Sequence, residues 1–364
     1  VFKSGFMSTV SCLVNRFDHI EIATSDAAQL EKLFSVFGFA TTQVRESDKG
    51  LEKLLVEGQN RIVLNQGKPG TFAYDYARKH GDGVCSIAFH STNAAETLKT
   101  ACARGAKVAA ELSVDEGLSG SQKVKVSKTA IQTFGDVRAT FVERSAEAFN
   151  VNAPFGPGFK TILPQAPEGI GLLSIDHLTN NVEMGQMERW AEFYQTVYGW
   201  VEARYFDIRA EKTGLISKVL QSPDGGCKIP INEATEEKSQ VQEFIVQHKG
   251  AGVQHIAFLT ADIRKAVSSL AKSGVKFLQV PDTYYEAVPT RVKMLSEPIA
   301  ELKQLQILAD GDDKGYLLQI FTQNQIGPLF FEIIQRKGHN GFGEGNFKAL
   351  FEAIERDQER RGVL

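Results

Sequence analysis

At 364 residues the chain is long for a single hydrophobic core and suits two domains of ordinary size. Its 42% hydrophobic and 23% charged residues fit a soluble globular fold, and 41 basic against 44 acidic residues leave no basic footprint for nucleic acid. Cys12, Cys85, Cys102 and Cys227 lie far apart without a CxxC pair, which argues against a disulfide framework or structural zinc and suits a reducing compartment.

No apolar run approaches the roughly 20 residues needed to span a bilayer. Residues 5–14 are mildly apolar, but Asn15-Arg16 follows them instead of a small-residue cleavage site. No signal peptide is therefore expected, and the chain reads as cytoplasmic. The first predicted strand covers residues 18–23 and leads into an amphipathic helix over 27–37. A second unit opens at Gly81-Asp82-Gly83-Val84-Cys85-Ser86-Ile87-Ala88-Phe89, and Gly105 closes its helix. Residues 149–171 hold Pro154, Pro157, Pro164 and Pro167 with several glycines and read as a linker crossing the surface.

Beyond that linker the pattern repeats. Ser174-Ile175-Asp176-His177-Leu178-Thr179-Asn180 resembles Arg16-Phe17-Asp18-His19-Ile20-Glu21-Ile22. Lys228-Ile229-Pro230-Ile231-Asn232 echoes Arg61-Ile62-Val63-Leu64-Asn65, and Gly250-Ala251-Gly252-Val253-Gln254-His255-Ile256-Ala257-Phe258 echoes the run at residue 81. The offsets of 158, 167 and 169 residues mark two diverged copies with small insertions. Ile263, Val267, Leu270 and Ala271 recur at helical spacing before Gly274. Four βαβββ units follow, beginning near residues 17, 83, 174 and 252.

Near the C-terminus, Asp310-Gly311-Asp312-Asp313 is a turn and not a calcium loop, because its twelfth position is Phe321. Gly341-Phe342-Gly343-Glu344-Gly345 opens no βαβ unit and is rejected as a phosphate loop. Phe347, Leu350, Phe351 and Ile354 form one stripe of a final helix, with Asn346 as its expected cap. Charged residues 355–361 read as its solvated end.

Three strand-like runs in the second half each carry one potential metal ligand: Ile175-Asp176-His177-Leu178, Val253-Gln254-His255-Ile256 and Phe330-Phe331-Glu332-Ile333. Two imidazoles and a carboxylate bind a divalent ion on one side and leave positions open opposite, the set used by non-haem Fe(II) with dioxygen. Separations of 78 and 77 residues exclude a helical motif with two His one turn apart and require three strands of one sheet to converge. A single buried His is more often a hydrogen-bonded core residue. Glu332, however, sits in a strand apolar on both sides, where a carboxylate is costly unless paired or bound to metal. In the first half His19 aligns with His177, Glu143 is the candidate counterpart of Glu332, and Ser86 stands where His255 would be. That half reads as a metal-free scaffold. His80, His90, His248 and His339 are expected at the surface. On the strand of residues 317–321, Gln319 and Phe321 share a face, and Phe330 shares one with Glu332.

Nearly the whole chain resembles the 4-hydroxyphenylpyruvate dioxygenase family of the vicinal-oxygen-chelate superfamily. The resemblance is carried by Pro230-Ile231-Asn232-Glu233, Ser239-Gln240-Val241-Gln242-Glu243-Phe244, Gly252-Val253-Gln254-His255-Ile256-Ala257, Leu318-Gln319-Ile320-Phe321-Thr322 and Gly341-Phe342-Gly343-Glu344-Gly345-Asn346-Phe347. It implies an α+β fold of two domains of paired βαβββ modules, each an open barrel-like sheet, plus a C-terminal gating helix. The domains would be residues 1–148 and 172–364, joined by 149–171. It further implies Fe(II) on His177, His255 and Glu332, and a polar network of Ser217, Asn232, Gln242, Gln254 and Gln319 around the substrate. Phe330, Phe342 and Phe347, with Phe321 and Pro230, would wall the aromatic ring. The implied reaction takes 4-hydroxyphenylpyruvate and dioxygen to homogentisate and carbon dioxide in tyrosine and phenylalanine breakdown.

The chemistry agrees with that expectation. A 2-oxo acid chelates iron through its carboxylate and keto oxygens, and its own decarboxylation removes the need for a separate 2-oxo acid. The protein's share is to hold the ring and exclude water. The nearest rival is hydroxymandelate synthase, whose family resembles this one except that a smaller aliphatic residue tends to replace a pocket phenylalanine; Phe347 argues for ring oxidation. A rival of another class is a haemolysin, since some bacterial relatives are described as haemolysins or pigment producers, but no amphipathic or spanning segment supports lysis. The expected assembly is a homo-oligomer, dimer or tetramer, without nucleic acid or membrane span.

Overall fold

The computed structural model describes residues 10–119, 122–144, 152–209, 214–343, 345–347, 358–359 and 362. The first half runs β1 (Phe17–Ala23), α1 (Ala27–Val36), β2 (Ala40–Ser47), β3 (Gly50–Glu57), β4 (Asn60–Gly67) and α2 (Phe72–His80). Its second unit is β5 (Gly83–Ser91), α3 (Ala94–Ala103), β6 (Val108–Ser119), β7 (Gln122–Gln132) and β8 (Arg138–Glu143). After a two-residue strand β9 (Lys160–Thr161) come β10 (Leu172–Val182), α4 (Met187–Tyr198), β11 (Val201–Arg209), β12 (Gly214–Gln221), β13 (Lys228–Ala234) and α5 (Gln240–His248). The fourth unit is β14 (Gly252–Thr260), α6 (Ile263–Lys272), α7 (Asp282–Arg291), α8 (Ile299–Gln304), β15 (Leu308–Gly311), β16 (Tyr316–Phe321) and β17 (Phe330–Lys337).

The four expected units are all present, with α7 and α8 inserted in the last. Each half forms one curled sheet, in the orders β6-β7-β8-β5-β1-β4-β3-β2-β9 and β11-β12-β13-β10-β14-β17-β16-β15. The opening strands of paired units lie antiparallel at the centre, β1 with β5 and β10 with β14, and each takes the last strand of its own unit as a parallel neighbour. Helix ends follow local chemistry. Asp26, Asn93 and Asp262 accept hydrogen bonds from first-turn amides, and Gly274, at φ +87°, ends α6 in the left-handed conformation that favours glycine. Ile263, Ala266, Val267 and Leu270 bury one face of α6.

One core runs through both halves. Phe34 and Phe37 meet Phe331, Phe39 meets Phe258, and Phe89 meets Trp200, with ring centroids 4.8–6.1 Å apart. Residues 152–171 do not simply cross the surface as the prolines suggested. Phe155 and Phe159 turn inward, 4% and 1% exposed, against Leu54, Val56 and Val63. Each such ring contributes on the order of 1.5–3 kcal/mol by leaving water, which outweighs the extended preference of a Pro-rich segment.

His80 and His248 also depart from expectation: both are buried, stacked at 4.6 Å where α2 meets α5. His80 donates to the His248 carbonyl and pairs with Asp136, and His248 contacts Tyr76 Oη at 3.0 Å. His90 lies on β5 and His339 is partly buried. Burial first, then the nearby His80 charge, pushes His248 down to about 4. An unfolded His titrates near 6.5, so the neutral native ring contributes stability above that pH and loses it as pH falls toward 4. Urea unfolding at pH 7 and pH 4.5 should show His248→Gln losing less stability on acidification than wild type, by on the order of 3 kcal/mol at most.

Candidate metal centre

Strands β10, β14 and β17 lie side by side, and their register places the ligands. Ala257 pairs with His177 on one flank and Glu332 on the other, so these three residues form a row on one face. His255, two residues before Ala257 on β14, points to the same face. Ala257 leaves room above the row because it carries only a methyl group. The result is His177 Nε2 at 3.2 Å and His255 Nε2 at 3.4 Å from Glu332 Oε2, with all three side chains buried.

Their outward-facing atoms are already engaged. His177 Nδ1 meets Asp176 Oδ2 at 2.8 Å, His255 Nδ1 meets Gln254 Oε1 at 3.1 Å, and Gln319 Nε2 donates to Glu332 Oε1 at 2.8 Å. Asp176 and Gln254 can accept from Nδ1–H, which leaves both Nε2 lone pairs turned inward. Burial alone would push Glu332 up, yet the facing imidazoles, His177 first and then His255, hold it down at about 2. Burial likewise opposes charge on His177, but Glu332 and Asp176 raise it, whereas at His255 burial prevails and lowers it. A divalent ion fits the same three lone pairs, and this donor set suits a first-row transition metal.

Asp176 is anchored in turn. Arg336 clamps it with two 2.7 Å hydrogen bonds, which together with His177 hold its carboxyl well below the usual range despite burial. The sequence reading missed Asp176 and Arg336. The signal was in the repeat: Asp18-His19 with Arg144 forms the same arrangement, Asp18 lying 2.6 Å from His19 and receiving hydrogen bonds from Arg144.

The polar residues expected around the site gather on its open side. Ser217 pairs in register with Asn232, whose amide approaches Asn181 at 3.3 Å and Gln254 at 3.5 Å. Buried Ser217 Oγ has no hydrogen-bond partner among the described residues. Pro230 lies two residues before Asn232 on the same face of β13. Gln242, half-buried on α5, makes no hydrogen bond to these groups among the described residues. Phe330 stacks on His255 at 4.7 Å, Phe321 lies 6.3 Å from both rings, and Phe342 meets His177 edge-on at 5.7 Å. Phe347 packs on Phe206 at 5.0 Å, in a cluster with Val219 and Phe342. A cavity of about 310 Å³ lined by Gln254 and Phe330 is shared with Gln240, Phe244 and Thr322, which sequence reasoning did not single out.

Asn346 is no helix cap. It is buried, donates to Gln319 Oε1 at 3.0 Å and accepts from Tyr284 and Arg291. The rest of the predicted stripe, Leu350, Phe351 and Ile354, lies outside the described residues. Gly343 is required by proximity: at φ +77° its Cβ would collide with the Gln319 amide oxygen.

The first half repeats the geometry without the ligands. His19 pairs with Ala88, and Ala88 with Thr140, so Thr140 and not Glu143 holds the position of Glu332. Ser86, at the position of His255, hydrogen-bonds Thr140 at 2.7 Å. Glu143 instead accepts from the Ala94 amide at the start of α3, as Gln335 does from Ile263 at the start of α6. Phe155 lies edge-on to His19 at 5.1 Å.

Residues 11–153 match the family model described as hydroxyphenylpyruvate dioxygenase, N-terminal, and residues 174–288 that of the glyoxalase/bleomycin resistance protein/dioxygenase superfamily. A 4-hydroxyphenylpyruvate dioxygenase of Pseudomonas aeruginosa is 43% identical over 362 residues, covering 96% of this chain and 95% of its own. The chain belongs to the 4-hydroxyphenylpyruvate dioxygenase family. Within that family the fold of paired modules is shared, and the chain is an enzyme of the dioxygenase class. A protein named hemolysin VllY from Vibrio vulnificus is 42% identical, covering 96% of each chain. A triple mutant of 4-hydroxymandelate synthase from Streptomyces coelicolor superposes with a TM-score of 0.81 at 29% identity, covering 95% of this chain and 99% of that one. No helix among the described residues is long and apolar enough to cross a membrane.

Asp176→Asn keeps the shape of the side chain and removes the charge that orients His177. Calorimetric titration of the metal-free protein should find divalent-metal affinity reduced roughly 10–100-fold. Unchanged affinity would mean that His177 is fixed by packing alone.

Proposed function

We propose that the chain is an Fe(II)-dependent dioxygenase that converts 4-hydroxyphenylpyruvate and dioxygen to homogentisate and carbon dioxide, in the breakdown of tyrosine and phenylalanine. The observation that carries this reading is the convergence of His177, His255 and Glu332, with their outer atoms engaged and an aromatic and amide-lined face open beside them. Bound by those three residues, ferrous iron would supply dioxygen activation and a Lewis acid for the 2-oxo acid.

The chain's own residues do the remaining work. Phe330, Phe321 and Phe342 exclude water from the ligand cluster and offer faces and edges to a phenyl ring. Ser217, Asn232 and Gln254 offer an unpartnered hydroxyl and two amides to polar groups of the substrate. Gln319 holds the outer oxygen of Glu332 so that the inner one faces the metal. Residues 1–148 act as the metal-free domain, 172–364 as the catalytic one, in a cytoplasmic homo-oligomer. Pigment formation would follow from oxidation of released homogentisate.

The fold likeness to 4-hydroxymandelate synthase favours a second reading, oxidation at the benzylic carbon. Phe347, packed with Phe206 and Phe342, argues for the first. Replacing it by isoleucine opens a void that a packed pocket fills only in part, letting the ring slip. Chromatography of aerobic reactions with ferrous protein should find homogentisate from wild type and some 4-hydroxymandelate from Phe347→Ile. Hydroxymandelate as the main wild-type product would transfer the assignment to the rival. Glu332→Ala should retain no iron and no turnover while unfolding cooperatively; stoichiometric iron in that variant would mean the ligands are misassigned. The likeness to a hemolysin is tested by washed red cells, which purified protein should leave intact with and without chelator.

A further inference from the structure

A chain of hydrogen bonds leaves the metal centre through Glu332 and ends on α7, a helix inserted in the fourth unit and, among the described residues, without a counterpart in the other three. Gln319 Nε2 donates to Glu332 Oε1 at 2.8 Å. Asn346 Nδ2 donates to Gln319 Oε1 at 3.0 Å. Asn346 Oδ1 accepts from Tyr284 Oη at 2.5 Å and from Arg291 Nη2 at 3.2 Å. Glu332, Gln319 and Asn346 are all at most 2% exposed, so water does not compete for these bonds.

The two ends of this chain fix its direction. A guanidinium has only donors, and an ionised carboxylate has only acceptors. With Arg291 at one end, the Asn346 oxygen must face it and the Asn346 NH₂ must face Gln319. With Glu332 at the other end, the Gln319 NH₂ must face the carboxylate. Each amide has two orientations in isolation, and the charged ends select one for both. Arg291 also grips the backbone of the same segment, donating to Gly345 O at 3.1 Å, while Asp310 accepts from Gly345 N at 2.9 Å. Tyr284 is locked between Arg291 at 2.8 Å and the Ala309 backbone. A side chain on Gly345 would press on Asp310 and Arg291.

We propose that Tyr284 and Arg291 are positioning residues that latch residues 345–347 beside the metal centre and, through Asn346 and Gln319, set which carboxylate oxygen of Glu332 is presented to the metal. Neither touches a metal ligand directly. Loss of Arg291 frees Asn346 to rotate and Gln319 to swing, so the segment bearing Phe347 opens and Glu332 loses its fixed presentation. The consequence for turnover rests on the dioxygenase reading, whereas the latch itself does not.

The test uses the full chain as wild type, Tyr284→Phe, Arg291→Ala and Arg291→Lys, with cooperative unfolding confirmed for each. In cobalt(II)-loaded protein without substrate, Arg291→Ala should raise hydrogen exchange at amides 345–347 at least tenfold and shift the visible cobalt bands. Tyr284→Phe, which keeps the ring and removes one donor, should give a smaller change of the same kind. Arg291→Lys restores a charge and a donor, and should recover part of both signals. In ferrous protein, Arg291→Ala should lower product formed per dioxygen consumed at least threefold with KM changed less than kcat. Combined with Gln319→Leu it should add little, because both act on one chain. Unchanged exchange and cobalt bands in a folded Arg291→Ala variant would overturn the latch, as would effects that multiply with those of Gln319→Leu. If wild type makes no product while exchange and cobalt bands respond as stated, the dioxygenase reading fails and the latch stands.

Discussion

Two buried imidazole nitrogens, 3.2 and 3.4 Å from one carboxylate oxygen with their lone pairs converging, need a positive charge between them. Much of the second half is organised around meeting that demand. The parallel pairing of β14 with β17 and the antiparallel pairing with β10 put His177 and Glu332 on either side of Ala257. Asp176, Gln254 and Gln319 then occupy the outer atoms, so that the inner lone pairs are left to face one another. The first half shows what the same backbone does when that demand is removed. Ser86 and Thr140 satisfy each other with one hydrogen bond, and the aromatic ring of Phe155 settles against His19.

That contrast explains why both halves keep the Asp–His–Arg arrangement although only one has a full ligand set. Asp18 and Asp176 are buried carboxylates, and each needs its arginine whether or not its histidine binds metal. The arrangement is therefore a structural device of the repeated unit, into which His255 and Glu332 fit as the additions that make a metal site. The continuous aromatic core then makes the first half a wall for the second, with Phe34 and Phe37 packed against Phe331 directly beside Glu332 in the chain.

The units, the convergence of His177, His255 and Glu332 and the turn at Asp312 were legible because each rests on a local pattern: alternation on a strand, a glycine after a helix, a polar residue in an apolar run. What was illegible depends on register or on distant partners. Glu143 and Thr140 differ by three positions on β8, and only pairing with β5 decides which matches Glu332. His80 and His248 carry no periodic signal, since each is buried by the other half of the molecule. Phe155 sits among prolines that announce a surface segment, yet a ring facing an unfilled concave sheet gains more by burial than the chain loses by turning inward. Asn346 stood at a capping position by sequence, but Arg291, fifty-five residues earlier, claims its oxygen.

The C-terminal segment is thus fastened twice by arginines that also serve the metal ligands. Arg336 spans from Asp176, and so His177, to the carbonyls of His339 and Gly341. Arg291 spans from Gly345 to Asn346, and so to Gln319 and Glu332. Between the two anchors lie Phe342, edge-on to His177, and Gly343, pressed on Gln319. Each anchor couples one ligand to one end of the same short stretch of chain. Displacing that stretch must therefore disturb the orientation of His177 or of Glu332, and fixing both ligands holds it in place. Within the proposed latch, holding this segment in place and presenting the ligands correctly are one equilibrium.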